Sequence, residues 1–123
     1  SSSVENYQSM VSVLIRLTKD EEAAKHLNHA LGLTDLKPEQ KFEFFKTLGN
    51  CYARLGDLDR AAHQYGKAYD INPQSDVLQV NVGSLALQKG DAETASIHFK
   101  KALEINSKNF SDDFKSSNLN RQE

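Results

Sequence analysis

The chain has 123 residues, enough for one domain with its own core but not for two. Its apolar fraction of 38% is low for a compact globule and its charged fraction of 26% is ordinary, a balance that suits a thin stack of helices with much surface per residue. Fifteen Lys and Arg against 17 Asp and Glu give a net charge of −2 with no basic cluster, which argues against nucleic acid as a partner. One cysteine allows no internal disulfide; that favours the cytoplasm, although a periplasmic protein without disulfides would look the same. No apolar run approaches a membrane span, so no membrane insertion is expected. Ser1-Ser2-Ser3 is not a signal peptide; it reads as a cut site, and the chain as a fragment.

In chain order, Val4, Tyr7, Met10, Val11, Leu14, Ile15 and Leu17 fall at helical spacing. Thr18-Lys19 turns the chain, and Asp20-Glu21-Glu22 supplies the acidic first turn of a second helix with Ala23, Ala24, Leu27, Ala30 and Leu31 on one face. Pro38 suits the first turn of a third helix, because its missing N–H has no partner there to lose. That helix should close at Gly56 in the left-handed region, with Asp57 capping a fourth helix that stops before Pro73. The plan recurs from Asp76: Gly90 ends one helix, Asp91 caps the next, and Ala95, Phe99, Ala102, Leu103 and Ile105 form its expected buried stripe. Beyond Phe110 the composition turns to Ser, Asp, Asn and Lys. Ser111-Asp112-Asp113 is the expected cap of a short helix bringing Phe110, Phe114 and Leu119 over the preceding pair, with the last residues fraying.

The recurrence is quantitative. A shift of 34 residues superposes Gly49 on Gly83, Gly56 on Gly90, Asp57 on Asp91 and Ala61 on Ala95. It also superposes Lys67 on Lys101, Ala68 on Ala102, Ile71 on Ile105 and Asn72 on Asn106, with Tyr65 on Phe99. Phe45, Leu48-Gly49, Tyr52, Ala61, Tyr65 and Pro73 follow the W-x₂-L-G-x₂-Y…A-x₃-F…P pattern, and the chain thereby resembles the tetratricopeptide-repeat family. The later unit departs from it at Gln79, Ala86 and Ser107, which replace Trp, Tyr and Pro. A first, degenerate unit has Val11 where the Gly belongs, so its two helices should pack less closely.

The resemblance implies an all-α, right-handed solenoid of antiparallel helix pairs: three pairs plus a short C-terminal segment. The expected domain is 1–109, with repeats at 4–37, 42–75 and 76–109, followed by 110–123 as a capping helix or disordered tail. Pro38-Glu39-Gln40-Lys41 is extra to the 34-residue period and should extend the third helix by one turn.

The family's usual activity is protein binding in a concave groove lined by the first helix of each pair. Carried onto this chain, the expected groove residues are Gln8, Ser12, Lys46, Asn50, Arg54, Val77, Val80, Asn81, Ser84 and Leu87. The implied ligand is an extended peptide or a partner helix. Asn50 and Asn81 can each donate to and accept from a peptide backbone. Val77, Val80 and Leu87 are apolar where core packing does not require it, suggesting an anchor pocket; the alternative is that the C-terminal segment folds back over them. The family's clamp for an acidic chaperone tail needs basic residues, whereas its slots here read Gln8, Ser12, Thr47, Val77 and Asn81. Two other readings are a self-associating scaffold fragment, a homo-oligomer through its terminal helices, and a small secretion chaperone of this family.

No enzyme constellation is visible, and neither a cofactor nor a metal is expected. His26 and His29 lie three apart on a helix but lack a third ligand. His63 and His98 read as surface or edge residues. Cys51 has no flanking His or basic cluster to activate it and reads as a packing residue.

Overall fold

A computed structural model describes residues 2–33 and 35–121, with side chains described for residues 4–33 and 35–115. Among the described residues six helices follow one another: α1 (Ser2–Arg16), α2 (Asp20–Ala30), α3 (Pro38–Arg54), α4 (Leu58–Ile71), α5 (Asp76–Gln88) and α6 (Ala92–Arg121). The described residues include no strand, and no helix among them is long and apolar enough to cross a membrane. The chain divides into two compact units, residues 1–73 and residues 74–123.

In the first unit α1 packs on α2, α2 on α3 and α3 on α4. The boundaries have local causes. Thr18 adopts φ 57° in the tight turn between α1 and α2. α3 starts at Pro38, one turn before Phe42, as the four extra residues predict, and Gln40 Oε1 accepts the Lys37 N–H at 2.9 Å to satisfy one orphan donor. Gly56 takes φ 84°, which closes α3, and Asp57 Oδ1 accepts the Arg60 N–H at 3.2 Å to open α4. The core joins Val4 and Val11 of α1, Ala23, Ala24, Leu27 and Ala30 of α2, and Phe44, Leu48 and Cys51 of α3. Tyr52 is only half-buried; its hydroxyl accepts from Asn28 Nδ2 at 3.0 Å.

The second unit is the α5–α6 pair. Ser75 Oγ accepts the Leu78 N–H at 3.1 Å, Gly90 takes φ 83°, and Asp91 Oδ1 accepts the Thr94 N–H at 3.0 Å, so this pair repeats the punctuation of α3–α4. The C-terminus differs from expectation. In place of a separate capping segment, α6 runs unbroken to Arg121. The cause is local: Ser107 stands where the preceding unit has Pro73, so no missing N–H or ring clash stops the helix. Leu119 lies outside the described side chains. The expected buried stripe of α6 is also narrower: Ala95 and Ala102 are buried, Phe99 and Ile105 are half-buried, and Leu103 is 67% exposed.

Both well-formed pairs are closed by the same contact. A Cβ built on Gly49 would lie 2.5 Å from Cδ1 of Tyr65, and one on Gly83 would lie 2.6 Å from Cε1 of Phe99. Each ring therefore sits directly on the backbone of the facing helix. In α1–α2 the same two slots hold Val11 and Leu27, both buried: the larger residue on the first helix meets a smaller one on the second. That pair packs less extensively than α3–α4.

Gln79, in the slot of the pattern's Trp, is buried, and its Oε1 lies 2.8 Å from His98 Nδ1 on α6. A carboxamide oxygen only accepts, so Nδ1 carries the proton. His98 thus bridges the two helices and is no free surface residue. Burial, assisted by the Lys101 ammonium, holds its pKa below the ordinary 6.5.

Two outcomes follow for urea denaturation. Gly83→Ala should lower stability, because overpacking at about 1–3 kcal/mol outweighs the ~1 kcal/mol of helix propensity gained. Gly66→Ala in α4, where a Cβ would meet nothing within 4 Å, should stabilise by about 0.5–1 kcal/mol. A pH series checks His98. Between its depressed folded pKa and the ordinary 6.5 the unfolded chain binds the extra proton, so stability should fall as pH drops below 6.5. His98→Gln should make that acid-side slope shallower.

Candidate functional site

The residues expected to line a binding face fall on α1 and α3 of the first unit and on α5 of the second. In the first unit α1 and α3 face each other across a cleft of about 260 Å³. Gln8 and Ser12 stand on one wall, Glu43 and Thr47 on the other, with Leu27 of α2 among the apolar lining. Ser12 Oγ donates to the Gln8 carbonyl at 2.9 Å, leaving the Gln8 carboxamide exposed on the rim.

Three of the expected groups are engaged inside the chain. Lys46 Nζ lies 3.0 Å from Glu43 Oε2 and 5.5 Å from the centroid of the Phe42 ring. Arg54 reaches back to α2, where its Nε and Nη2 donate to Asp20 Oδ1 at 2.9 and 2.8 Å. This pairing raises the guanidinium pKa further and fixes α3 to the start of α2. Asn50 accepts from the hydroxyl of Tyr65, whose pKa burial pushes up to about 12, so that hydroxyl stays a donor. Of these, only the Glu43–Lys46 pair, three apart on one helix, is legible in the sequence; Asp20 and Arg54 stand 34 residues apart and meet only through packing.

On α5 of the second unit, Val77, Val80, Ser84 and Leu87 are exposed and Asn81 is half-buried. Among the described residues no part of the C-terminal segment covers these three apolar residues, each of which is about half exposed. Val77 and Val80 line a cleft of about 370 Å³ together with Asp76 and with Phe99, Ala102, Leu103 and Asn106 of α6. Leu87 does not line it, so the expected three-residue anchor divides between a cleft and an open helix face. Asn106 Nδ2 donates to Asp76 Oδ2 at 3.0 Å, and that bond holds the Asp76 carboxyl below the usual range. Asn81 Nδ2 is buried and has no hydrogen-bond acceptor among the described residues.

A further cleft escaped the sequence pattern. It is about 450 Å³ and lined by Glu21, Lys25, Asn28, Tyr52, Asp57 and Arg60, with the Arg60 guanidinium 5.8 Å from the Tyr52 ring centroid. Its residues come from α2, the end of α3 and the start of α4, and carry no shared motif.

Chemically reactive groups are quiet. Burial pushes the Cys51 thiol up to about 11 in spite of the nearby Arg54, so it is neutral at physiological pH and suited to packing. Tyr7 fills the space beside the two α2 histidines, its ring 6.4 Å from His26 and 5.6 Å from His29. Among the described residues no group of three His, Cys, Asp or Glu is placed to hold a metal.

Comparison with known proteins fits this geometry. Two family models, both described as tetratricopeptide repeat, match residues 42–75 and 78–109, together more than half of the chain. BBSome complex member BBS4 of Xenopus tropicalis is 29% identical over 107 residues, covering 87% of this chain and 20% of BBS4. The chain thus spans about a fifth of the first curated relatives it matches. Among solved structures, MamA superposes with a TM-score of 0.73 at 26% identity, covering 88% of this chain and 61% of MamA. PcrH, solved in complex with the chaperone binding region of PopB, superposes with a TM-score of 0.76 at 19% identity, covering 87% of this chain and 83% of PcrH, a likeness of fold. With two matched repeats, six helices and the glycine–aromatic closure at both matched pairs, the chain belongs to the tetratricopeptide-repeat family, an all-α class of protein-interaction modules.

Proposed function

We propose that the module holds an extended peptide or a partner helix against the exposed faces of its first helices, without catalysis. The observation that carries this reading is the outward stripe of α5: Val80 and Leu87 offer exposed apolar surface, Ser84 an exposed hydroxyl, and the Asn81 carboxamide lies half-buried among them, so hydrogen bonding and side-chain anchoring lie along one helix.

The first unit, taken by itself, offers neutral hydrogen-bonding groups from Gln8, Ser12 and Thr47 in the cleft between α1 and α3. With Arg54 engaged by Asp20 and Lys46 by Glu43, free cationic donors are scarce along these faces. The ligand that suits them is a neutral or apolar segment, not an acidic chain terminus. PcrH, similar in fold, was solved in complex with the chaperone binding region of PopB and is a precedent for a partner's segment bound to a protein of this fold.

Selection of a random linear peptide library on the wild-type chain, followed by fluorescence anisotropy on the enriched peptides, tests the reading. Val80→Asp/Leu87→Asp should weaken binding by at least about tenfold, the equivalent of 1.4 kcal/mol, and Asn81→Ala should weaken it several-fold. Peptides that bind both variants as tightly as wild type would refute the assignment.

A further inference from the structure

α1 and α3 are the first helices of successive pairs. Val11 and Leu27 hold the slots of Gly49 and Tyr65, so a shift of 38 residues lays the first pair on the second. That shift sets Met10 on Leu48, Val13 on Cys51 and Arg16 on Arg54. In α3 these three positions form the face that α2 covers. Leu48 and Cys51 lie fully buried in the core shared with α1 and α2, and Arg54 donates to Asp20 Oδ1 at the start of α2. Ala24 and Asn28, four and eight residues after Asp20, stand beside Tyr52, whose hydroxyl accepts from Asn28.

α1 repeats that face with nothing over it among the described residues. Met10 is 46% exposed and Val13 44%, with Leu17 just past the helix end at 57%. Arg16 is exposed and makes no ion pair among the described residues. A helix that ends a stack turns a polar face outward. Here the outer side of α1 carries the apolar pair and the arginine in the register that α3 uses to hold a helix, and solvation alone requires neither.

We infer that the outer face of α1 docks one amphipathic helix of a partner protein, antiparallel to α1, with an acidic residue in its first turn against Arg16. That carboxylate does for Arg16 what Asp20 does for Arg54, and a small residue four positions on permits the close approach that Ala24 permits on α3. One position differs. α1 has Leu14 where α3 has Tyr52, so the hydroxyl that accepts from Asn28 is missing, and the partner's residue eight after the acid is apolar. A second copy does not supply this helix: α2 is engaged by α3, and at the slot of Asp20 α4 has Leu58 and α6 has Ala92. The inference goes beyond the peptide-binding reading and does not rest on it, because Met10 and Val13 lie about 150° round α1 from Gln8 and Ser12.

The probe is a hydrocarbon-stapled peptide of residues 18–33, the α2 sequence with Asn28→Leu; the staple offsets the marginal stability of so short a helix. Titrated into the full chain and followed by heteronuclear NMR, it should give saturable shifts at Met10, Val13 and Arg16. Met10→Asp/Val13→Asp in the chain should abolish them. Arg16→Glu should weaken binding several-fold, and Asp20→Lys in the peptide should recover the loss. The peptide that keeps Asn28 should bind more weakly than the leucine form. No saturable shift at millimolar peptide, binding unchanged by Met10→Asp/Val13→Asp, or a charge reversal that the peptide's lysine does not rescue would each overturn the inference. So would dimerisation of the chain alone that Met10→Asp/Val13→Asp abolishes, since the face would then belong to a second copy.

Discussion

Two aromatic rings pressed onto two glycines hold the repeated helix pairs at their spacing. Tyr65 on Gly49 and Phe99 on Gly83 leave no room for even a methyl group, so each second helix approaches its first at backbone distance. A glycine in a helix interior is unfavourable by about 1 kcal/mol relative to Ala, a penalty that only the close approach explains here. The small residues opposite, Ala61 and Ala68 in α4 and Ala95 and Ala102 in α6, are all buried and keep the same gap narrow. The first pair solves the problem with other volumes, Val11 against Leu27, and packs less extensively.

The remaining features follow from that closure. With one side of each first helix committed to its partner, the opposite stripe is free to face outward, and there Gln8, Ser12, Val80, Ser84 and Leu87 are exposed. The turns between helices are set by Gly56 and Gly90 in the left-handed region and by Asp57 and Asp91 as caps. Arg54 and Asp20 then join α3 to α2, so the cleft between α1 and α3 is supported from behind by a charged bond as well as by the apolar core. Function, in this view, is what the pairs leave unpacked.

Much of the architecture was legible because repetition is a strong signal. Gly, Asp and Ala recur at a 34-residue offset, and each has a steric or capping reason to be there. The extra turn of α3 was readable from Pro38 for the same reason. What could not be read were contacts made by side chains whose partners lie on other helices: Arg54 with Asp20, Asn50 with Tyr65, and Gln79 with His98. Gln79 did carry a hint, since a polar residue in a core slot requires a buried partner. The unbroken α6 was missed because Ser111-Asp112-Asp113 looks like a cap, yet a cap motif starts a helix only where the chain has first been made to stop. Ser107 does not stop it.

The account stands or falls on whether glycine and ring are one unit, with volume exchanged between them. Grafting the first pair's solution onto the second tests this: Gly49→Val, Tyr65→Leu and the double variant, each measured by urea denaturation. The closure predicts that Gly49→Val alone is strongly destabilising and that adding Tyr65→Leu recovers part of the loss, with a coupling of about 0.5–3 kcal/mol. Losses that simply add in the double variant would show that the ring and the glycine act independently, and would contradict it.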